Sequence, residues 1–210
     1  LFIIGNIVSG VCEISPNYYI DNQAYILLDG VIGDFNIATI TLVDSIFSIV
    51  PAPGGLEFID HPVVYVSWCG AQAFANHYNL SVPSLYEWEK AARGNTGFDY
   101  PWGDDTGNGA NANFILSLHI WNQGTTPVGY YNGQEYDGFV TEDTPSPFGV
   151  YDMAGNVSEW TSNYFDGNGF SKGGNYFSIM LQLKSWDKIN EPGGPTSTNQ
   201  KTGFRLAIIP

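Results

Sequence analysis

From residue 95 onward the chain is dominated by Gly, Asn, Asp, Thr and aromatic residues. These residue types favour turns joined by short strands, each for its own backbone reason. Most of this half must therefore be ordered loop, and loops of that extent need anchors. Buried Trp side chains can supply them, or a cation that satisfies loop oxygens. No repeat, heptad pattern or low-complexity tract breaks the sequence. At 210 residues, 43% hydrophobic and 15% aromatic, the chain can bury one sizeable core, and general disorder is excluded.

Helix signals are confined to residues 61–94. Ser67 is placed to cap a short helix over residues 71–78 that ends near Asn79. Ser84-Leu85-Tyr86-Glu87 is a capping box, in which the Ser side chain and the Glu side chain satisfy each other's backbone N–H groups. Gly94 supplies the positive-φ position at that helix's end. Helical spacing puts Leu85, Trp88 and Ala92 on the core-facing side. Residues 1–60 read as strands and loops. Strands are expected within residues 1–12, over Asn17-Tyr18-Tyr19-Ile20 and over Ala38-Thr39-Ile40-Thr41-Leu42-Val43, and a loop over Pro51-Ala52-Pro53-Gly54-Gly55. An apolar terminal strand could also pair with a neighbouring subunit's sheet edge. The expected organisation is a divergent N-terminal region, 1–60, on a domain spanning 61–210, the two forming one structural unit.

The charge balance removes whole classes of partner. Seven Lys and Arg face 21 Asp and Glu, for a net charge of −14. Neither nucleic-acid phosphate nor an anionic membrane would find a cationic face here. No apolar run is long enough for a membrane-spanning helix. The first basic residue is Lys90, so residues 1–89 have no Lys or Arg and must be held by packing, hydrogen bonds or bound cations. That composition suits an extracellular or cell-surface location. Cys12 and Cys69 allow either one disulfide or two buried thiols, and without a Cys-x-x-Cys no zinc knuckle or redox motif is supported.

The order of motifs resembles one family. His61-Pro62-Val63-Val64-Tyr65-Val66-Ser67-Trp68 is followed by Ala71-Gln72-Ala73-Phe74 and by the segment from Val82-Pro83-Ser84 to Ala92-Arg93-Gly94. Then come Tyr100-Pro101-Trp102-Gly103, Ala112-Asn113-Phe114, Thr126-Pro127-Val128-Gly129, and Pro147-Phe148-Gly149 running on through Asp152-Met153-Ala154-Gly155-Asn156-Val157-Ser158-Glu159-Trp160. Lys172-Gly173-Gly174-Asn175-Tyr176 and Gly203-Phe204-Arg205 close the series. Over about residues 61–207 this resembles the formylglycine-generating enzyme family, the sulfatase-modifying-factor domain. The resemblance implies an α+β, C-type-lectin-like fold with two short helices, small antiparallel sheets and high loop content. Such a fold hosts unrelated functions, so activity has to be argued from the site.

The family's sulfatase-activating members use a cysteine pair shortly after a Gly-Gly-Ser motif and bind copper. The matching positions here fall near Ser178 and Leu183, and neither is a thiol. A second enzymatic branch holds non-heme iron with histidines. His61, His77 and His119 are the only ones present, and structural or surface roles are expected for them. Ser and Asp are plentiful, but no nucleophile elbow is expected. Asp104-Asp105, Glu142-Asp143 and Asp60 read as solvated loop carboxylates. No catalytic residue is therefore assigned.

For a cofactor, the resemblance implies a structural calcium. Its ligands would be the side chains of Asp152 and Glu159 and the backbone carbonyls of Gly155 and Val157. The alternative is that both carboxylates only tie loops through backbone N–H groups. A second calcium position would begin at Asn113 and the Phe114 carbonyl, but Ile120 stands where its second half needs an Asp. Residues 176–200 occupy the family's active-site and ligand face, which is diversified for binding in phage and bacterial variable receptors of this fold. Here that face carries Phe177, Ile179, Met180, Leu181, Trp186 and Asn190. It is apolar for an open cleft, so either the N-terminal region covers it or it meets another subunit. Tyr130, Tyr131, Tyr136 and Phe139 lie in an insertion that either forms a recognition surface or packs on its own domain. Asn79-Leu80-Ser81 and Asn156-Val157-Ser158 are glycosylation sequons, of which Asn79 is the plausible acceptor. The expected function is a non-catalytic extracellular or surface protein that acts by self-assembly or binding, its partner being itself or a surface glycan or protein. The alternatives are a monomeric lectin-like or receptor-like module and, less favoured, a metal-dependent oxidoreductase.

Overall fold

The computed structural model describes residues 60–119, 124–191 and 193–208 in full, and within residues 5–51 the backbone of four strands. Those four form two hairpins, β1 (Gly5–Val8) with β2 (Val11–Ile14) and β3 (Ala38–Val43) with β4 (Ile46–Pro51). β3 coincides with the strand expected there. The expected strand over residues 17–20 lies outside the described residues.

Helix α1 (Trp68–His77) starts earlier than expected. The cap is Ser67, whose hydroxyl accepts from the Gly70 N–H at 3.0 Å, so helix begins at the next residue. Helix α2 (Leu85–Arg93) carries the full capping box: Ser84 Oγ accepts from the Glu87 N–H, and Glu87 Oε2 accepts from the Ser84 N–H at 2.7 Å. These bonds, led by the one to the Ser84 backbone, hold the Glu87 carboxyl below its ordinary pKa. Gly94 ends α2 at φ +59° and gives its N–H to the Lys90 carbonyl. Trp88 and Ala92 are buried, and Leu85 is half-buried.

The main sheet contains β7 (Ser158–Phe165), β8 (Asn168–Lys172), β9 (Ile189–Glu191) and β10 (Thr202–Phe204), in the order β10-β7-β8-β9. A two-residue ladder, β5 (Glu135–Tyr136) with β6 (Phe139–Val140), stands apart. The expectation of purely antiparallel sheets fails at one pair, because β10 runs parallel to β7. The connection from β9 to β10 passes the start of α1, where Cys69 and Tyr65 give their N–H groups to the Pro195 and Asn199 carbonyls. It delivers β10 to the far edge of β7 in the same direction, with Gly203 opposite Glu159.

The tryptophans are the loop anchors. Trp160 is 1% exposed among Val66, Ala71, Ala75 and Val82, and its indole N–H reaches the Val66 carbonyl at 2.8 Å. Trp88 packs with Ala92 and Met153. Tyr100, Ala112, Phe114, Ala154 and Leu183 form a third cluster, with Trp102 stacked on Tyr100. Trp68 Nε1 donates to the Thr161 carbonyl at 2.6 Å. The aromatic insertion packs on its own domain: Tyr130 and Tyr131 are buried, and Tyr130 stacks on Tyr136 at 4.3 Å. Cys69 is buried and disulfide-bonded.

Trp160→Phe keeps an aromatic ring but deprives the buried Val66 carbonyl of its donor and leaves a small void. The expected loss is about 2–4 kcal/mol in denaturant unfolding, with an unchanged denaturant slope. A loss under about 1 kcal/mol would show that the indole N–H does not anchor the loop.

Candidate functional site

Residues 151–157 form a tightly curled loop leading into β7. Asp152, Gly155 and Asn156 all take positive φ, at 56°, 78° and 62°. Gly155 is required here, because a Cβ would lie 2.2 Å from the Asn113 carbonyl oxygen. The Gly155 N–H reaches the Gly173 carbonyl, and the Asn156 N–H reaches that of Asn113. The curl turns the carboxyls of Asp152 and Glu159 toward the end of β10.

Arg205, just past β10, meets them. Its Nε donates to Glu159 Oε2 at 2.5 Å and its Nη2 to Glu159 Oε1 at 2.6 Å, a bidentate pair. The same Nη2 reaches the carbonyls of Tyr151 and Asp152, at 3.2 and 3.3 Å. Trp88 Nε1 donates to Glu159 Oε2 at 2.5 Å. Asp152 Oδ2 accepts the Gly129 N–H at 2.6 Å. Burial pushes the Asp152 carboxyl up to about 6, against the pull of the Gly129 N–H and Arg205, with the Glu159 charge adding to the rise.

Asp152, Gly155, Val157 and Glu159 are thus brought together along one wall of a cleft. Calcium takes six to eight oxygens; of the candidates here, both Glu159 oxygens face Arg205 or Trp88, and Asp152 Oδ2 faces the Gly129 N–H. At the second expected position the oxygens are taken by protein donors. Asn113 is fully buried, its Oδ1 accepting from Ser117 and lying 2.8 Å from His119 Nε2. The Phe114 carbonyl accepts from Ser117. Asn113 and Asn156 instead make an amide ladder that binds residues 124–126. Asn113 Nδ2 donates to the Gly124 carbonyl, and Asn156 takes the Thr126 N–H and returns a bond to the Thr126 carbonyl.

The positions matched to the family's cysteine pair are structural. Ser178 is buried, with its hydroxyl accepting from the Asn175 N–H, and Leu183 is fully buried in the core. A Gly-x-Ser-x-Gly spacing does occur at Gly169-Phe170-Ser171-Lys172-Gly173. It is not an elbow, because Ser171 sits within β8 and donates to Glu191 Oε1 at 2.6 Å. Asp104, Asp105, Glu142 and Asp143 are exposed loop residues, as expected. A cleft of about 490 Å³ opens beside the Arg205 group, walled by Val63, Phe74, Leu80, Val128 and Phe204. Its acids, Asp152 and Glu159, belong to the hydrogen bonds above. Asn79 is exposed at the turn after α1, whereas Asn156 is 2% exposed and cannot accept a glycan.

The apolar face is real but differently composed. Phe177, Ile179 and Leu181 are 44%, 52% and 59% exposed. Met180 turns inward onto the Tyr100–Leu183 cluster, in a short 3-10 helix, Met180–Leu183. Trp186 is half-exposed but tied to Asp99 Oδ1 through its indole N–H. Asn190 stands on β9 at the sheet edge. Sequence reasoning missed Leu116 and Leu118, which are 67% and 79% exposed. The Ile115 N–H bonds to the Ser178 carbonyl at 3.1 Å, which brings residues 114–118 alongside 177–181. The apolar run from Phe114 to Ile120 was the available signal.

His61 and His119 are buried, beside Thr125 Oγ1 and Asn113 Oδ1, and burial lowers both to about 4, with Asp60 opposing the shift at His61 and His119 adding to it. The folded state therefore binds fewer protons than the unfolded one, and stability falls as pH drops from about 6.5 to about 4. Asp152, with its raised pKa, acts in the opposite sense over nearly the same window. Asp152→Asn should therefore steepen the acid loss of stability in pH-dependent thermal unfolding, and a flatter profile in the variant would refute this assignment.

Comparison with known proteins places the domain. Residues 55–209 match the family model described as the sulfatase-modifying factor enzyme 1-like domain. A formylglycine-generating enzyme of Thermomonospora curvata is 40% identical over 112 residues, covering 50% of this chain and 34% of that protein. An inactive C-alpha-formylglycine-generating enzyme 2 of Bos taurus is 35% identical over 119 residues, covering 55% of this chain and 37% of that protein. The chain thus spans about a third of the length of these curated relatives. The structure of PvdO from Pseudomonas aeruginosa aligns at a TM-score of 0.60 and 21% identity, over 76% of this chain and 66% of that one, a likeness of fold. The ordered motifs, the two capped helices and the loop-anchored sheet together make this chain a member of the formylglycine-generating enzyme, or sulfatase-modifying factor, domain family.

Proposed function

We propose that this chain is a non-catalytic, extracellular or surface-displayed binding module that associates with a second copy of itself through residues 114–118 and 177–181. One observation carries the reading. Leu116, Leu118, Phe177, Ile179 and Leu181 are exposed on two adjoining segments that contain no charged residue, in a chain of net charge −14. Soluble monomers rarely keep such a patch without use. An uncharged face is also where two acidic copies can meet without facing carboxylates. In a symmetric contact both copies contribute, so about ten partly exposed side chains would leave water, on the order of 10 kcal/mol before the cost of association. The alternative cover, residues 1–59, lies largely outside the described residues. The non-catalytic part rests on Ser178 and Leu183 at the cysteine positions, and inactive members of the family exist. The disulfide at Cys69 suits an oxidising compartment.

Light scattering over a range of concentrations tests this. The native chain is expected at twice the monomer mass or more. Ile179→Asp with Leu181→Asp, both exposed, should weaken association at least about 100-fold while leaving Tm within a few degrees. A native chain that stays monomeric throughout would overturn self-association and direct attention to a glycan or peptide ligand. Copper or iron found at one equivalent by elemental analysis would overturn the non-catalytic reading.

A further inference from the structure

The turn that ends α1 holds a side chain that neither the fold nor the proposed contact between copies uses. We infer that Asn79 is a modification site and carries an N-linked oligosaccharide. Oligosaccharide transfer acts on chains delivered to a secretory compartment, so this assignment rests on the extracellular part of the proposed function and not on self-association.

Asn79-Leu80-Ser81 and Asn156-Val157-Ser158 are the two sequons of the chain, and the fold separates them. Asn156 is 2% exposed, and its amide is committed to the Thr126 N–H and carbonyl. Asn79 is exposed, as are Asn76, His77 and Tyr78 before it. The turn is a Schellman motif: the Asn79 N–H reaches the Asn76 carbonyl at 3.2 Å, the Leu80 N–H reaches that of Ala75 at 2.9 Å, and Asn79 holds φ at +54°. These backbone bonds close the helix by themselves. The Asn79 side chain makes no hydrogen bond among the described residues, and Gly would serve the left-handed position at least as well. Ser81 completes the sequon with its hydroxyl likewise unbonded among the described residues, while its N–H and carbonyl are exchanged with Ala207 at 3.0 and 2.7 Å. Tyr78, next to the acceptor, is 44% exposed with its ring on Phe74 at 4.8 Å, an apolar surface that a sugar attached at Asn79 can shield from water. In the transfer, Asn79 Nδ2 loses a proton and forms the N-glycosidic bond to C1 of the reducing-end sugar. The C1–O bond to the donor, a polyprenyl-pyrophosphate oligosaccharide, breaks, and the lipid pyrophosphate leaves.

The test uses the native chain, purified from the cells or medium that produce it, denatured and digested with trypsin. Cleavage at Lys90, Arg93 and Lys172 puts Asn79 in the peptide ending at Lys90 and Asn156 in the peptide 94–172. Mass spectrometry is expected to find an oligosaccharide on the first peptide, and Asn79→Asp conversion after peptide N-glycosidase F. A bare peptide ending at Lys90, or sugar confined to 94–172, overturns the inference. Both cysteines of the chain lie in that first peptide, so alkylation before reduction separates the two readings. A bare peptide whose cysteines resist alkylation sinks the glycan but leaves the extracellular reading standing, whereas alkylated cysteines overturn both. Two variants made in the same host supply the second arm. Asn79→Gly keeps the left-handed turn but removes the amide, and Ser81→Ala keeps the amide but removes the sequon; both should yield only the bare peptide. Sugar that persists in the peptide of either variant means that the sequon is not its site, and the inference fails.

Discussion

The carboxylate of Glu159 is the constraint on which the rest of the structure depends. It is 5% exposed, at the second residue of β7. A buried carboxylate without partners would be strongly destabilising, and one held by a bidentate cation and an indole N–H is tolerable. Meeting that demand draws three separate parts of the chain to one point. Trp88 comes from the middle of α2, Arg205 from the end of β10, and the Tyr151 and Asp152 carbonyls from the loop before β7. Removing Arg205 or Trp88 would leave a buried charge short of donors, a larger penalty than the pair's own net gain.

Lys172 repeats the device on the neighbouring strand. It is 2% exposed, bonds Glu89 of α2 at 3.1 Å, and lies 5.6 Å from the centre of the Trp88 ring. Burial lowers its pKa, and Glu89 opposes that. Helix α2 is therefore pinned to the sheet by one ion pair, Glu89 to Lys172 on β8, and by one indole hydrogen bond, Trp88 to Glu159 on β7. In a chain with only seven Lys and Arg, placing two of them inside the domain shows where the few cations are used. The loops beyond are held by neutral bonds, above all the Asn113–Asn156 amide ladder.

Local signals were legible in the sequence wherever the determining contacts are near in the chain. The capping box at Ser84 and Glu87 was readable because three residues close it. The Ser67 cap was readable too, while the helix start was misplaced because Trp68 and Cys69 are poor helix formers held there by packing and a disulfide. The parallel pairing of β10 was not readable. It depends on where a ten-residue connection between β9 and β10 crosses the molecule, and turn residues do not encode that path. At the site, Asp152 and Glu159 were identified as the polar centre, but their partner was not. Arg205 lies 46 residues from Glu159, and only the register of β10 on β7 brings it near. The apolar face was half-legible for the same reason: alternation marks Phe177, Ile179 and Leu181, while Leu116 and Leu118 join them through a single backbone bond from Ile115 to Ser178.

These two features, the neutralised interior and the uncharged face, follow from one composition. With 21 acids and seven bases, self-repulsion acts over most of the surface and favours solubility over association. Contact between copies can only be favourable where acids are absent, and residues 114–118 and 175–183 form such a gap. Leu118 strengthens the point. It is 79% exposed and holds φ at +56°, a conformation disfavoured for Leu. A leucine kept both strained and in water is costly for an isolated domain, since either a polar or a glycine residue would relieve it. The proposed contact between copies would close a surface over that side chain. The backbone at Leu118 and the charge gap around it thus point to the same face from independent physical causes.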